Sequence, residues 1–337
     1  MILLKSVITF LIIIPLFFFP AFVAADSGSS TIVMDVNSGR ILYSKNSHQK
    51  RLIASTTKIM TCLVVLENSN IDDDIVVGEE VLSMYGTNIY IEVGEKIKIR
   101  DLLYGLMLRS GNDAAITLAV NTLGEEKFVN KMNELAKKIG MKDTLFQNPH
   151  GLDENNKNIS TAYDMALLAC YAYKNKIYRK IISTKKYLAT SSFKSYSWYN
   201  RMSLLNNYKD CLGGKNGYTP KAGKTLVSYA SKNKTILTIV SLNDANIYQN
   251  HKNLYISFFS KYKNYVIIDK NSFIIDSTFV KKNLYLKESF SYVLSSEEID
   301  KITTLVYLYP IAKKNIAGEV RIQLKSKEIG KLFIYEK

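Results

Sequence analysis

The chain has 337 residues, a formal net charge of +15, 47% hydrophobic and 22% charged residues. That globular composition excludes intrinsic disorder and collagen-like structure. Three cysteines cannot build a disulfide framework, and three histidines without a Cys-x-x-Cys pair make no familiar zinc site, so no metal or other cofactor is expected.

Residues 1–25 read as a signal peptide. Lys5 supplies a positive start, and an apolar run from Val7 to Phe19 is broken only by Thr9 and Pro15. Val23-Ala24-Ala25 then places small residues before Asp26, where a signal peptidase would cut. The alternative is a retained anchor, because the run is only somewhat short for a span. Either way the working part of the chain is expected outside the cytoplasm. The lysines are scattered and no aromatic-basic motif stands among them. Attraction to an anionic wall or membrane surface is the expected meaning of the charge, and nucleic acid is not an expected partner.

Residues 26–263 alternate in character. Thr31 to Val36 and Ile41 to Ser44 read as strands joined by the turn Asn37-Ser38-Gly39-Arg40. Ser55 to Leu66 is apolar nearly all round after its first turn, as a helix buried on every side would be. Residues 99–108 and 113–122 read as helices separated by a Ser-Gly-Asn break. Glu125 to Ile139 is another, stopped by Gly140. Ser160 to Tyr173 continues the helical region. Lys224 to Ala230 and Lys234 to Leu242 alternate like paired strands, and Asn246 to Tyr262 returns to helical spacing. Both ends of this segment thus supply strands to one sheet, with helices between.

Residues 264–337 differ. Val266-Ile267-Ile268, Phe273-Ile274-Ile275, Leu305 to Tyr309, Val320 to Leu324 and Leu332 to Tyr335 are short β-type runs between polar turns, which describes a small all-β domain. Cys62 and Cys170 fall in apolar helical stretches, where cysteine behaves as a small apolar residue. Cys211 opens a glycine-rich turn.

Three short motifs carry chemistry. In Ser55-Thr56-Thr57-Lys58, positions i and i+3 share a helix face, so Lys58 can reach the Ser55 hydroxyl. Serine is a poor nucleophile until a base takes its proton. Lysine can be that base only where burial or a neighbouring cation lowers its pKa. A helix N-terminus also aims N–H groups at a developing oxyanion. In Ser110-Gly111-Asn112, a hydroxyl that can pass a proton and an amide that can hold a peptide carbonyl flank a tight break. In Gly213-Gly214-Lys215-Asn216-Gly217-Tyr218-Thr219, Lys215 offers a cation to a carboxylate and Gly217 lets a peptide lie close against a strand edge. Each alone has a bland reading: a serine cap, an interhelical turn, a lysine-bearing glycine turn.

In this order and spacing the three resemble the Ser-x-x-Lys, Ser-x-Asn, Lys-Thr-Gly set of penicillin-binding proteins and class A β-lactamases. From about Thr31 to Tyr262 the chain resembles the low-molecular-weight penicillin-binding proteins, the serine-type D-alanyl-D-alanine carboxypeptidases. Asn148-Pro149-His150-Gly151-Leu152-Asp153, Ser160-Thr161-Ala162-Tyr163-Asp164-Met165, and Gly217-Tyr218-Thr219 with Ala222-Gly223 share in the likeness. Glycine in the middle motif favours carboxypeptidases over β-lactamases. The resemblance implies an α/β (α+β) fold: a transpeptidase-like domain with an antiparallel sheet and a helical subdomain, followed by the small β domain. It implies that Ser55 is the acylated nucleophile, Lys58 its base, and Ser110 a proton relay. Asn112 would hold the stem-peptide amide and Lys215 the terminal carboxylate, with Lys215 keeping Lys58 partly neutral. Backbone N–H groups of Ser55 and Tyr218 would form the oxyanion hole.

The implied substrates are peptidoglycan stem peptides ending in D-Ala-D-Ala, with β-lactams as covalent inhibitors. A D,D-endopeptidase, a β-lactamase and a non-catalytic wall-binding relative remain as alternatives. Two departures stand out. Asn216 occupies the place of the family's usual threonine, and the run up to Lys337 reads as a strand where many relatives carry an amphipathic anchoring helix. Two further candidates read as structural: His150 beside Pro149 and Gly151, and Asp72-Asp73-Asp74, which lacks the spaced ligands of a calcium loop.

Overall fold

The computed structural model describes residues 30–153, 157–274, 284–313 and 315–336. The expected signal peptide and its cleavage point lie outside these residues. The chain opens with strands β1 (Ser30–Asp35), β2 (Ile41–Lys45) and the short β3 (Arg51–Leu52). A 3-10 turn, Ala54–Thr57, leads into helix α1 (Lys58–Asn68). Strands β4 (Asp74–Val76) and β5 (Lys96–Lys98) bracket a long loop. Helix α2 (Ile99–Tyr104) runs into a π turn, Gly105–Arg109, and then come α3 (Asn112–Leu123) and α4 (Glu125–Ile139). Next are β6 (Ile159–Ser160), α5 (Ala162–Tyr173), α6 (Lys176–Ser183) and the hairpin β7 (Lys186–Thr190) and β8 (Ser195–Tyr199). The short α7 (Leu204–Asn207) precedes strands β9 (Cys211–Thr219), β10 (Gly223–Lys232) and β11 (Thr235–Leu242), and α8 (Ile247–Lys261) closes the larger part.

The main sheet is five-stranded in the order β2-β1-β11-β10-β9, antiparallel at every pairing. Side chains alternate across a pleated strand, and β1 serves two cores accordingly. Ile32 and Met34 join a large cluster with α1, α3, α4 and α5, while Val33 faces Leu254, Tyr255 and Phe258 of α8. Such two-sided burial explains why β1 is apolar on both faces. Helix α1 is buried from Lys58 to Val65, as its continuous apolar run requires.

The later strands are β12 (Tyr262–Ile268), β13 (Leu284–Leu286), β14 (Phe290–Ser295), β15 (Ile302–Lys313), β16 (Ile316–Leu324) and β17 (Lys327–Glu336). They form a β12-β14 pair and a four-stranded sheet β13-β17-β16-β15 over a separate small core that includes Val320, Ile322 and Ile334. Arg40, from the β1–β2 turn, reaches this region. Its guanidinium donates to Glu298 at 2.6 Å and lies 5.6 and 5.3 Å from the Tyr262 and Tyr292 ring centres.

Two expectations need correction. The glycine-rich turn opened by Cys211 is instead β9, an edge strand: glycines erased the alternation by which a strand is read. Phe273 and Ile274 lie outside any strand, and Ile275 is beyond the described residues. Helix α6 and the β7–β8 hairpin were not expected at all. Asp72 of the acidic run pairs with Arg100, and Asp74 opens β4.

Candidate active site

Ser55 sits in the 3-10 turn that enters α1, one residue after Ala54, whose φ of +46° is the left-handed region that disfavours side chains. The turn is compressed from both sides. A Cβ on Gly151 would stand 2.1 Å from the Ala54 carbonyl oxygen, and one on Gly217 would stand 2.7 Å from the Ser55 nitrogen. Only glycine permits so close an approach of backbone to backbone. From behind, Thr225 Oγ1 donates to the Ile53 carbonyl at 3.1 Å and Thr57 Oγ1 to the Ala54 carbonyl at 2.8 Å.

Lys58 lies one turn along, fully buried. Its Nζ is 3.1 Å from Ser55 Oγ and 2.7 Å from Asn112 Oδ1, and it also donates to the His150 carbonyl. Burial holds its pKa well below the ordinary lysine value; the Lys215 charge pushes the same way and Asp113 opposes. A lysine so placed can be neutral and accept a proton. Asn112 opens α3, and its Nδ2 donates to the Tyr85 carbonyl at 2.7 Å. Ser110, just before it, has φ +68° and is largely buried at the end of the π turn.

Strand β9 forms the opposite wall. Lys215 is 1% exposed, and its Nζ donates to the Asn216 carbonyl at 2.6 Å. Burial first, and the nearby Arg201 second, bring its pKa down to about 7. Asn216 is half-buried, while the Tyr218 side chain is 64% exposed at the rim. The structure therefore brings Ser55, Lys58 and Asn112 into one hydrogen-bonded group. Ser110 stands two residues before Asn112 in the chain, and Lys215, Asn216, Gly217 and Tyr218 line up along the facing strand.

Sequence reasoning missed several supports. Asn158 accepts from the Gln147 and Asn148 backbone at 2.7 and 3.2 Å and donates to Thr57 Oγ1 at 2.9 Å. Asn148 accepts from Gly151 N at 2.7 Å, so the loop that presses on Ala54 is tied to α1. His150 contributes its carbonyl. Its ring Nδ1 accepts from Leu152 N at 3.2 Å, and burial, then the Lys58 charge, lowers its pKa to about 3, which suits a structural residue. Arg201 left no signal, being a lone arginine in an irregular segment. Among the described residues no group of His, Cys, Asp and Glu could hold a metal ion.

Comparisons with known proteins point the same way. The family model described as D-alanyl-D-alanine carboxypeptidase, peptidase S11, matches residues 21–246. The D-alanyl-D-alanine carboxypeptidase DacF of Bacillus subtilis is 31% identical over 323 residues, covering 92% of this chain and 82% of that protein. The D-alanyl-D-alanine endopeptidase of Pseudomonas aeruginosa is 32% identical over 223 residues, covering 64% of this chain and 71% of that protein. Penicillin binding protein 5 from Haemophilus influenzae superposes with a TM-score of 0.78 at 26% identity, covering 92% of this chain and 96% of that one. The match spans every element that carries the Ser55, Asn112 and Lys215 constellation, and by it this chain belongs to the D-alanyl-D-alanine carboxypeptidase family, peptidase S11.

Proposed function

We propose that this protein is a serine D,D-carboxypeptidase that removes the terminal D-alanine from peptidoglycan stem peptides and is acylated by β-lactams. The observation that carries this reading is the fully buried Lys58, its Nζ 3.1 Å from Ser55 Oγ and its pKa held down. Neutral Lys58 takes the Ser55 proton as Oγ attacks the penultimate D-alanine carbonyl. The oxyanion sits against the Ser55 and Tyr218 N–H groups. Ser110 relays a proton to the departing D-alanine nitrogen, and water then releases the acyl chain from Ser55. Asn112 holds the stem-peptide amide, and Lys215 with Arg201 faces the terminal carboxylate beside Asn216.

Supporting a mature chain outside the cytoplasm, cut after Ala25, are the leader pattern and the family's cell-wall substrates. We take residues 26–263 as the catalytic domain and 264–337 as a separate β domain, on the strength of its own small core. The test is D-alanine release from a peptide ending in D-Ala-D-Ala, with Ser55→Ala as control. Release that disappears in the control establishes the activity with Asn216 in place. Cleavage of crosslinked dimers but not of the linear peptide would instead favour the endopeptidase alternative.

The pKa of Lys215 gives a second prediction. Near pH 8 a side chain of pKa about 7 is mostly neutral. A bound carboxylate favours its charged form, so binding at that pH draws in a proton. Calorimetry on Ser55→Ala with a D-Ala-D-Ala peptide, in buffers of different ionisation enthalpy, should show proton uptake at pH 8 and little at pH 6. Equal binding heats across buffers at pH 8 would exclude Lys215 as the carboxylate's partner.

A further inference from the structure

Asn112 has an amide whose two ends must not be exchanged. Its Oδ1 accepts from Lys58 Nζ at 2.7 Å, while its Nδ2 donates to the Tyr85 carbonyl at 2.7 Å. Were the amide turned over, an NH2 group would meet the lysine nitrogen and two carbonyl oxygens would face each other. The Tyr85 carbonyl therefore decides which end Lys58 sees, and its place depends on how the loop before α3 is held.

That loop is held from within by Asn88 Nδ2, which donates to the Met84 carbonyl at 3.1 Å, but it is also pinned from outside. Gly86 has φ +79° and Tyr90, a non-glycine residue with a 73% exposed side chain, has φ +62°. A left-handed tyrosine persists only where its surroundings impose it. The surroundings are the start of α3. Asn112 N donates to the Thr87 carbonyl at 2.7 Å, and Asp113 N donates to Asn88 Oδ1 at 3.2 Å. The Asp113 carboxylate, 2% exposed, accepts from Ile89 N at 3.0 Å, Tyr90 N at 2.7 Å and Ile91 N at 3.4 Å, besides Ala114 N at 2.8 Å in its own helix. One buried anion thus gathers consecutive amides of the loop, including that of the left-handed tyrosine. Burial pushes its pKa up, while those backbone N–H groups and its place in the first turn of α3 favour the negative charge.

We propose that Asp113, whose carboxylate hydrogen-bonds the loop and its own helix rather than Ser55 or Lys58, is the positioning residue that fixes the Tyr85 loop and so keeps the oxygen end of Asn112 facing Lys58. This rests on the carboxypeptidase reading of the same site. Without Asp113 the loop loses the acceptors that impose its conformation, the Tyr85 carbonyl drifts, and Asn112 samples both amide orientations. Lys58 then loses its alignment toward Ser55. Capture of the carboxylate at Lys215, on the other wall, is untouched.

The test is the rate of acylation by a fluorescent penicillin, measured on wild type, Asp113→Ala, Asp113→Asn, Asn112→Ala and the double variant Asn112→Ala/Asp113→Ala. Asp113→Ala is expected to slow acylation about a hundredfold, the scale of a misplaced reacting group. Asp113→Asn, nearly isosteric with one acceptor kept, serves if the alanine variant fails to fold, and should slow it at least about tenfold. If Asp113 acts through Asn112, the double variant is no slower than Asn112→Ala alone, a non-additivity that general loosening of the fold does not produce. Losses that multiply in the double variant, or Asp113→Asn acylating at the wild-type rate, would overturn the proposal while leaving the carboxypeptidase reading intact. A wild-type protein that takes up no penicillin would overturn both.

Discussion

Lys58→Met is expected to slow both D-alanine release and penicillin acylation by about three to four orders of magnitude while raising thermal stability. The kinetic loss follows from geometry: Nζ is 3.1 Å from Ser55 Oγ, and the other groups it touches, Asn112 Oδ1 and the His150 carbonyl, are acceptors fixed by the fold. No second base stands in line, since Lys215 belongs to the opposite strand and donates to Asn216. General-base removal typically costs about 10² to 10⁴ in rate, and the upper part of that range applies where the nucleophile depends on one partner. The stability gain follows from the pKa. Lys58 is held well below the ordinary lysine value in the folded protein and returns to that value when unfolded. Between the two pKa values the unfolded chain binds the extra proton, so this lysine disfavours folding at neutral pH and less so as pH rises. Methionine of similar length removes that penalty, offset in part by the Asn112 Oδ1 and His150 carbonyl left without this donor, and the melting temperature should climb by a few degrees, as about 1 kcal/mol does in domains of this kind. A variant that is both inactive and less stable than wild type would contradict the assigned environment of Lys58.

Gly217→Ala should lower kcat by about two to three orders of magnitude without unfolding the protein. The added methyl would fall 2.7 Å from the Ser55 nitrogen, 2.6 Å from Thr225 Oγ1 and 3.1 Å from the Ala54 Cβ. Thr225 Oγ1 is itself occupied with the Ile53 carbonyl, and Ala54 is already in a left-handed conformation, so neither yields easily. Relief has to come from separating β9 from the nucleophile's turn. That movement parts the Ser55 and Tyr218 N–H groups, the pair assigned to the oxyanion. Losing one aligned donor costs about 3 kcal/mol of transition-state stabilisation. Steady-state kinetics should show the loss in kcat, with KM changed much less, because the ground-state carbonyl gains less from those donors than the tetrahedral intermediate does. A proportional rise in KM with kcat preserved would place the role of Gly217 in substrate binding instead.

Much of this arrangement was legible in the residues. Ser55 and Lys58 announce their contact by helical spacing, and α4 stops at Gly140 as its pattern predicts. The strands β1, β10 and β11 follow from alternation or unbroken apolarity. What was not legible has common causes. In β9 the glycines that let the strand approach Ser55 also remove the side chains by which a strand is recognised. His150 and Tyr85 act through carbonyl groups, which every residue possesses, so no residue type marks them. Asp113 and Arg201 matter because of what a loop or an irregular segment brings near, and spacing along the chain carries no record of that. The β7–β8 hairpin was missed because its buried contacts are an alanine, two tyrosines and a tryptophan set among serines and lysines.

The position of β1 in the sheet has a consequence for how the molecule comes into being. β1 lies between β2 and β11, with Ser30 opposite Leu242 and Thr31 bonded to Ser241. A chain made from its N-terminus can form the β1–β2 hairpin at once, but the other edge of β1 stays bare until β11 exists. Closing so long a loop must precede the reward of pairing, which makes such topologies slow to assemble. The nucleophile is thus synthesised early and organised late. A chain halted before Leu242 would carry Ser55 and Lys58 with no completed sheet behind them, an apolar helix without its floor. Activity in this fold is accordingly expected only once β11 is complete, and no N-terminal fragment ending before Leu242 should capture penicillin.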